Sequence, residues 1–348
     1  MWAMILKEFR QVRRDRRTLA MMIVLPLLLL VVFGYAASFD VDEISTTVVG
    51  PGAERTAEAL PDLFEVEDIA PDEGVAEARE TLRDGEALVG IVADPAAPVA
   101  LVDGSELFSA RTAVEAFARA GEQVPGLEVR VLFNPDLETS AVMVPGLAAM
   151  ILLFVGTVIT SLGVVRERQT GTLEQLAVMP LRPRDVFVGK IAPYFLVAAI
   201  DLAVIVTAGV LLFEVPFNGS LWVLALGAVL FLFVTLGLGV LISSVSQNQG
   251  QAIQLAIMTL LPQFLLSGLI FPVDSMAAGV RWISYVLPLT YFIEISRGVF
   301  LRGAPLEALA QPMLLLGLLG VVVFGLAVLR FRRDLAPASA RAELRRAA

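Results

Sequence analysis

The sequence predicts a membrane all-α fold: six transmembrane helices, an N-terminal interfacial helix and an external re-entrant helical hairpin, with an inserted α/β extracytoplasmic domain. Three observations carry that class. The 348 residues are 57% hydrophobic and 18% charged, with a mean hydropathy of +0.78; soluble domains run about 45–50% apolar with roughly a quarter of residues charged. The apolar residues gather into stretches long enough to cross a bilayer, and the basic residues fall on alternate sides of those stretches. Composition also narrows the chemistry. With no Cys and no His, thiolate nucleophiles, disulfides, zinc ligands and the usual proton shuttle are all missing, which disfavours most enzyme classes.

A spanning helix needs about 20 mostly apolar residues, because a core of about 30 Å is crossed at 1.5 Å per residue. Six stretches qualify: 19–38, 142–165, 191–213, 221–245, 252–272 and 312–329, with Asp201 the one charge among them. Before them, segment 1–18 places Trp2, Ile5, Leu6, Phe9 and Val12 at helical spacing opposite Lys7, Arg10, Arg13 and Arg14. That pattern suits a helix lying in the inner headgroup region; a frayed basic tail is the plainer alternative. A cleaved signal peptide is disfavoured, since the first apolar run is too long for a signal core. A seventh apolar stretch, 280–301, carries Arg281, Glu294 and Arg297 and is broken by Pro288. It reads as two short helices that enter the membrane and return, within a hairpin over 273–305.

Orientation follows from charge. With the N-terminus cytoplasmic, the inside segments hold 17 Lys+Arg in 68 residues and the outside segments 9 in 149. Short Arg-rich loops resist translocation, so both termini are placed in the cytoplasm, with a basic tail over 332–348. The transmembrane domain is 142–331, and residues 39–141 form the outer insertion. That insertion has a formal charge of −17 and the rest of the chain +8, so the overall −9 averages two opposite regions. Within it, 46–50, 87–93, 99–103 and 128–133 read as strands and 54–60, 73–83 and 107–122 as helices. The acidity fits either a cationic partner or a solvated surface.

The cytoplasmic loop 166–190 is locally legible. Gly171 suits the left-handed position that ends a helix, and Thr172 with Gln175 has capping-box spacing, so a short second helix follows until Pro180. Pro183 then launches the next segment. A capped helix at the membrane edge is a rigid knob that a soluble partner could push; as structure alone it is a connector.

The stretch from Glu167 to Pro180, E-x-x-x-G-T-L-E-Q-L-x-V-x-P, resembles the cytoplasmic coupling region of ABC exporter permeases of the type 2 class. Ser243 to Ala252 leading to Pro262 and Pro272 is similar to the same family's fourth-to-fifth span region. Leu287-Pro-Leu-Thr-Tyr291, Arg297-Gly298 and Leu301-Arg-Gly303 resemble its external hairpin, although Met276-Ala277 departs from the family's Met-Pro. Asp103-Gly-Ser105 and Asn134-Pro135 are similar to the subgroup with a large extracytoplasmic domain after the first span, of the multidrug or lipid exporter kind.

The resemblance implies a permease of a bacterial or archaeal plasma membrane that pairs with a second copy or a related permease and with two ATPase subunits. A periplasmic adaptor is a further expected partner; nucleic acid is not. No cofactor is expected in this chain: it lacks a G-x-x-x-x-G-K-[ST] loop, so ATP and Mg belong to the partner ATPase. Glu167, Gly171, Thr172, Glu174, Gln175 and Pro180 are the expected coupling residues, mechanical rather than catalytic.

Three further groups stand out. Asp201 sits mid-span, where an ionised carboxylate costs about 2.5–3.5 kcal/mol on insertion scales. It is either a translocation-path contact or a hydrogen-bonded or protonated structural acid. Gln254 and Gln263 either line that path or bond across an interface. Glu294 and Arg297, three apart, are expected to pair on one face of the hairpin. The leading expectation is an ATP-driven exporter of hydrophobic or amphipathic, drug-like or lipid-linked substrates. The alternative is a non-transporting membrane sensor or assembly protein that uses the outer domain to bind a ligand.

Overall fold

β-branched runs open the described chain. The computed structural model describes residues 41, 43–95, 97–120, 127–171 and 183–335. The expected interfacial helix, the first span, the knob residues Thr172, Glu174, Gln175 and Pro180, and most of the basic tail lie outside these.

Strands β1 (Ile44–Val49), β2 (Phe64–Ala70), β3 (Val89–Val92), β4 (Val99–Asp103) and β5 (Glu128–Leu132) form one sheet in the order β2-β1-β3-β4-β5. Helices α1 (Ala53–Ala59), α2 (Val75–Asp84) and α3 (Leu107–Ala120) connect them. Only β3 and β4 are antiparallel, with Val89 opposite Val102; the other pairs are parallel. Parallel strands need helical crossovers, and these bury both faces of the sheet. β4 shows it: Ala100 and Val102 join Phe64, Ala110 and Phe117 on one face, while Val99 and Leu101 join Ala78 and Leu82 on the other.

The sequence reading contains no counterpart to β2. Only Phe64 of Phe-Glu-Val-Glu-Asp-Ile-Ala is buried, so its signal is one of an exposed, charged edge. Charges on an edge strand discourage unwanted pairing, and the same charges hide the strand from an apolar pattern.

The helical body follows. α4 runs from Thr139 to Gln169, and its middle, Val155–Ile159, widens into a π turn. The other helices are α5 (Pro183–Leu212), α6 (Leu221–Val245), α7 (Gln249–Leu266), α8 (Ala278–Ser284), α9 (Pro288–Arg297) and α10 (Ala310–Leu335). A π turn over Gly298–Arg302 continues α9. Pro183 and Pro288 each occupy the first helical position, where the missing N–H costs nothing.

Among the described residues, four helices are long and apolar enough to cross a membrane: 139–169, 192–212, 221–245 and 310–330. α7 is not one of them, although a span was expected over 252–272. Four of its 18 residues are Gln, it stops at Leu266, and the chain turns at Gly268 in the left-handed region (φ +83°).

Small residues set the helix contacts. A Cβ on Gly156, inside the π turn, would overlap Thr235 of α6, and one on Gly239 would lie 2.8 Å from the Thr157 carbonyl oxygen. Gly237 closes on Val323 of α10, where Phe233 and Phe324 meet edge to face at 5.5 Å. α9 lies antiparallel to α6. As α6 and its preceding loop advance through Gly219, Gly227 and Phe231, the partners recede through Val299, Ile295 and Phe292. Phe231 and Phe292 stack at 4.4 Å.

Candidate coupling site and the junction opposite it

Two polar joints lie at opposite ends of α4. At its C-terminus the backbone turns off at Gly171 (φ +76°), as its glycine permits. The Thr170 hydroxyl donates to the carbonyls of Arg166 (3.1 Å) and Glu167 (3.2 Å), occupying acceptors the helix end leaves open.

Arg168 fastens this end to α6. Its Nη1 donates to the Ser243 carbonyl at 2.9 Å and to the Ser246 carbonyl at 3.1 Å, a cation on the carbonyl end of another helix. Gln249 Nε2 donates to Gln169 Oε1 at 3.2 Å. The turn from α6 to α7 is capped from within: Gln251 N donates to Asn248 Oδ1, and Gln247 N to Gln251 Oε1. Two of the three motif blocks of the helical body therefore meet here, in one hydrogen-bonded corner. Of the expected coupling residues, Glu167 is half-buried in this stem and Gly171 ends it. Arg168, unassigned by the sequence, is the residue that ties the stem down.

At the other end, the turn 103–106 of the sheet unit meets α9 and its π extension. Asp103 is fully buried; its Oδ1 accepts from Ser105 N at 2.8 Å, and Arg302 Nη1 lies 3.5 Å from its Oδ2. Arg297, 6% exposed, donates to Glu106 Oε1 at 2.9 Å and to the Gly268 carbonyl at 3.1 Å. Arg83 of α2 reaches the Gly303 carbonyl with Nη2 at 2.8 Å. Asn218 binds from the α5–α6 loop, its Nδ2 donating to Leu301 O at 2.7 Å and its N to Phe300 O at 3.0 Å.

Asn134 fixes the turn to α4. Its Nδ2 donates to the carbonyls of Gly104 and Glu138, and its Oδ1 accepts from Glu138 N, one residue before the helix begins. Gly104 tolerates no side chain, since a Cβ would sit 2.7 Å from Asn134 O. Burial pushes the Asp103 carboxyl above its ordinary range, outweighing the opposing pull of Arg302 and of the Ser105 amide. A polar cavity of about 710 Å³ opens beside this junction, with Arg79, Glu80, Arg83, Asn218 and Arg302 in its walls.

The structure corrects the expected Glu294–Arg297 pair. Helical spacing puts the two within reach, but Arg297 turns to Glu106 and Gly268, and Glu294 is left exposed. Asp201 is half-buried on α5 and Gln254 half-buried on α7. Gln263 is 1% exposed, its Oε1 without a hydrogen-bond partner. No hydrogen bond among the described residues joins Asp201 to either Gln. Nor do three or more acidic side chains converge there as metal ligands would.

Known proteins match this chain over most of its length. Residues 16–329 match the profile of the family described as ABC-2 family transporter protein. The chain is 30% identical to the probable multidrug ABC transporter permease YbhS of Escherichia coli K12, over 96% of its own length and 97% of that protein's. It is 29% identical to the probable multidrug ABC transporter permease YbhR of the same organism, over 88% and 91% of the two chains. With the inner membrane transport permease YhhJ it shares 33% identity over 62% of this chain and 58% of that one. A profile spanning nearly every residue, over a body of apolar helices, makes this chain a multi-pass membrane permease of the ABC-2 transporter family.

Proposed function

We propose that this permease is the membrane subunit of an exporter that moves hydrophobic or amphipathic substrates, drug-like or lipid-linked, outward across a bacterial or archaeal plasma membrane. Two separate ATPase subunits, holding ATP and Mg, energise it, and a second copy or a related permease completes the pathway. The sheet unit lies outside, where an adaptor could dock, and both termini lie in the cytoplasm.

One observation supports the mechanical part of this reading. α4 joins the Asp103–Asn134 junction at its first turn to the Arg168 corner at its last. A displacement delivered to the stem at Glu167–Gly171 is therefore carried along one helix, and the π turn at Val155–Ile159 is where that helix can bend. Thr172, Glu174, Gln175 and Pro180 are proposed to seat in the ATPase, and Asp201, Gln254 and Gln263 to line the path.

Affinity purification tests it. An ATPase chain is expected to accompany the wild-type protein, and to be lost when residues 171–180 are replaced by a Gly-Ser repeat. A wild-type protein isolated without any ATPase would overturn the exporter reading. It would favour a membrane sensor, for which the junction cavity offers a ligand site.

A further inference from the structure

Helices α6 and α10 run parallel, and small residues fix their register. Gly317 closes on Leu230, Gly320 on Val234 and Gly237 on Val323, an offset of 86 or 87 positions each time. The same offset brings Arg330, the last residue of the apolar stretch 310–330, level with Ser244 at the end of α6. The 25 residues of α6 rise about 37 Å against a hydrocarbon core of about 30 Å, so its last turn reaches the edge of that core. Arg330 therefore stands at headgroup level.

A groove of about 400 Å³ opens at this level between α6, α7 and α10, a volume in the range of ligand pockets. Leu241 and Val245 of α6 and Leu255 of α7 give it apolar walls. Its two hydroxyls are already spent: Ser244 Oγ donates to Leu241 O at 2.7 Å and Thr259 Oγ1 to Leu255 O at 2.9 Å. Arg330 is the one charged residue in the wall; its guanidinium is exposed and makes no hydrogen bond or ion pair among the described residues. The groove also runs inward. Leu255 and Thr259 lie six and ten residues along α7 from its start at Gln249, or about 9 and 15 Å, so the walls continue from headgroup level into the level of the acyl chains.

An unpaired guanidinium above an apolar furrow, open at the edge of the bilayer core, is complementary to one class of molecule at both ends. A phosphate accepts hydrogen bonds from the planar fork, and a fatty chain fills the walls below it. We propose that this groove is a binding site for an anionic phospholipid of the surrounding bilayer, its phosphate on Arg330 and an acyl chain against Leu241, Val245 and Leu255. Such a lipid bridges α10 to the α6–α7 turn that Arg168 ties down, whatever the permease exports.

The test is native mass spectrometry of the full chain in mild detergent, titrated with phosphatidylglycerol. Phosphatidylcholine of the same acyl chains is the zwitterionic control, and inorganic phosphate at matched ionic strength stands for the headgroup alone. The wild type should hold one phosphatidylglycerol per chain saturably and in preference to phosphatidylcholine, and inorganic phosphate should not displace it. Arg330→Gln should weaken phosphatidylglycerol about fivefold or more, the scale of one cation at a membrane surface, and leave phosphatidylcholine unchanged, while Arg330→Lys retains the preference. Leu255→Trp, which fills the groove, should weaken both lipids. The Arg330 variants should fold, since the side chain is exposed and unbonded; melting temperature and elution volume check this, and they decide the matter even where Leu255→Trp does not fold. Equal retention of the two lipids by the wild type overturns the proposal, as does unchanged phosphatidylglycerol binding in Arg330→Gln or displacement by inorganic phosphate. Dissociation of a wild-type dimer by Arg330→Gln would also overturn it, assigning the groove to a second copy of the chain.

Discussion

Asp103 is fully buried, with a guanidinium 3.5 Å away and an amide hydrogen bond on its other oxygen. Removing one partner of such a pair leaves a buried charge uncompensated, at a cost of about 3–5 kcal/mol. Arg302→Met should therefore lower the melting temperature of the purified protein far more than a change at the exposed Arg130. The pH dependence has a definite sign. Because burial raises the folded carboxyl above its ordinary 3.8, the fold holds the proton more tightly than the open chain does. Asp103's contribution is fully present below that value and is lost as pH rises through the folded one. Melting followed upward in pH from 3.8 should show this loss in the wild type, and Asp103→Asn should flatten it. The sequence named Asp103-Gly-Ser105 and Leu301-Arg-Gly303 as separate motifs, but their meeting was not legible in it. Helical spacing reveals neighbours three or four residues apart, whereas Glu106 and Arg297 are 191 apart. Hence the local partner, Glu294, was the one assigned.

Where elements are concerned, the turns and caps were legible and the interruptions were not. Pro183 and Pro288 opened their helices as their fixed φ requires, and Gly171 closed one. The π turn in α4 carries no such mark: Val-Gly-Thr-Val-Ile reads as any apolar helix, and only its contact with Thr235 reveals the glycine's purpose. Gly156→Ala should overpack that crossing by about 1–3 kcal/mol, measured as lost thermal stability, with partial rescue by Thr235→Ala. At the other joint, Arg168→Met removes charged hydrogen bonds to Ser243 and Ser246, each worth about 1.5–3 kcal/mol. Amide exchange over 243–251 should accelerate while the sheet unit is unaffected; unchanged exchange would show that the corner holds without Arg168. β2 went unread, and α7 falls short of the apolar length of a span, for one shared reason. Polar residues, Glu and Asp in one and Gln in the other, dilute an apolar signal when the element lies at an edge or carries the polar groups of a helix junction.

Across the whole molecule, the formal charge of −9 conceals a segment 39–141 at −17 and a remainder at +8, a division legible in the sequence alone. What it predicts is orientation. The chain has no cysteine, so single-cysteine variants report location directly. Glu67→Cys in β2 should react with an impermeant maleimide on intact cells, and Gln247→Cys, beside the Arg168 corner, only after permeabilisation. The opposite pattern would reverse the topology. The contact of Arg83 with Gly303 spans 220 positions, and its consequence concerns biogenesis. At about 5–20 residues per second, the ribosome completes the sheet unit roughly 8 to 34 seconds before it makes Arg297 and Arg302. A nascent chain halted in that interval already owns every strand of the sheet, yet its Asp103 still lacks the Arg302 guanidinium. The N-terminal unit is sealed by a segment synthesised near the end of the chain, so quality control that inspects this permease early meets an open seam, and one that inspects it late does not.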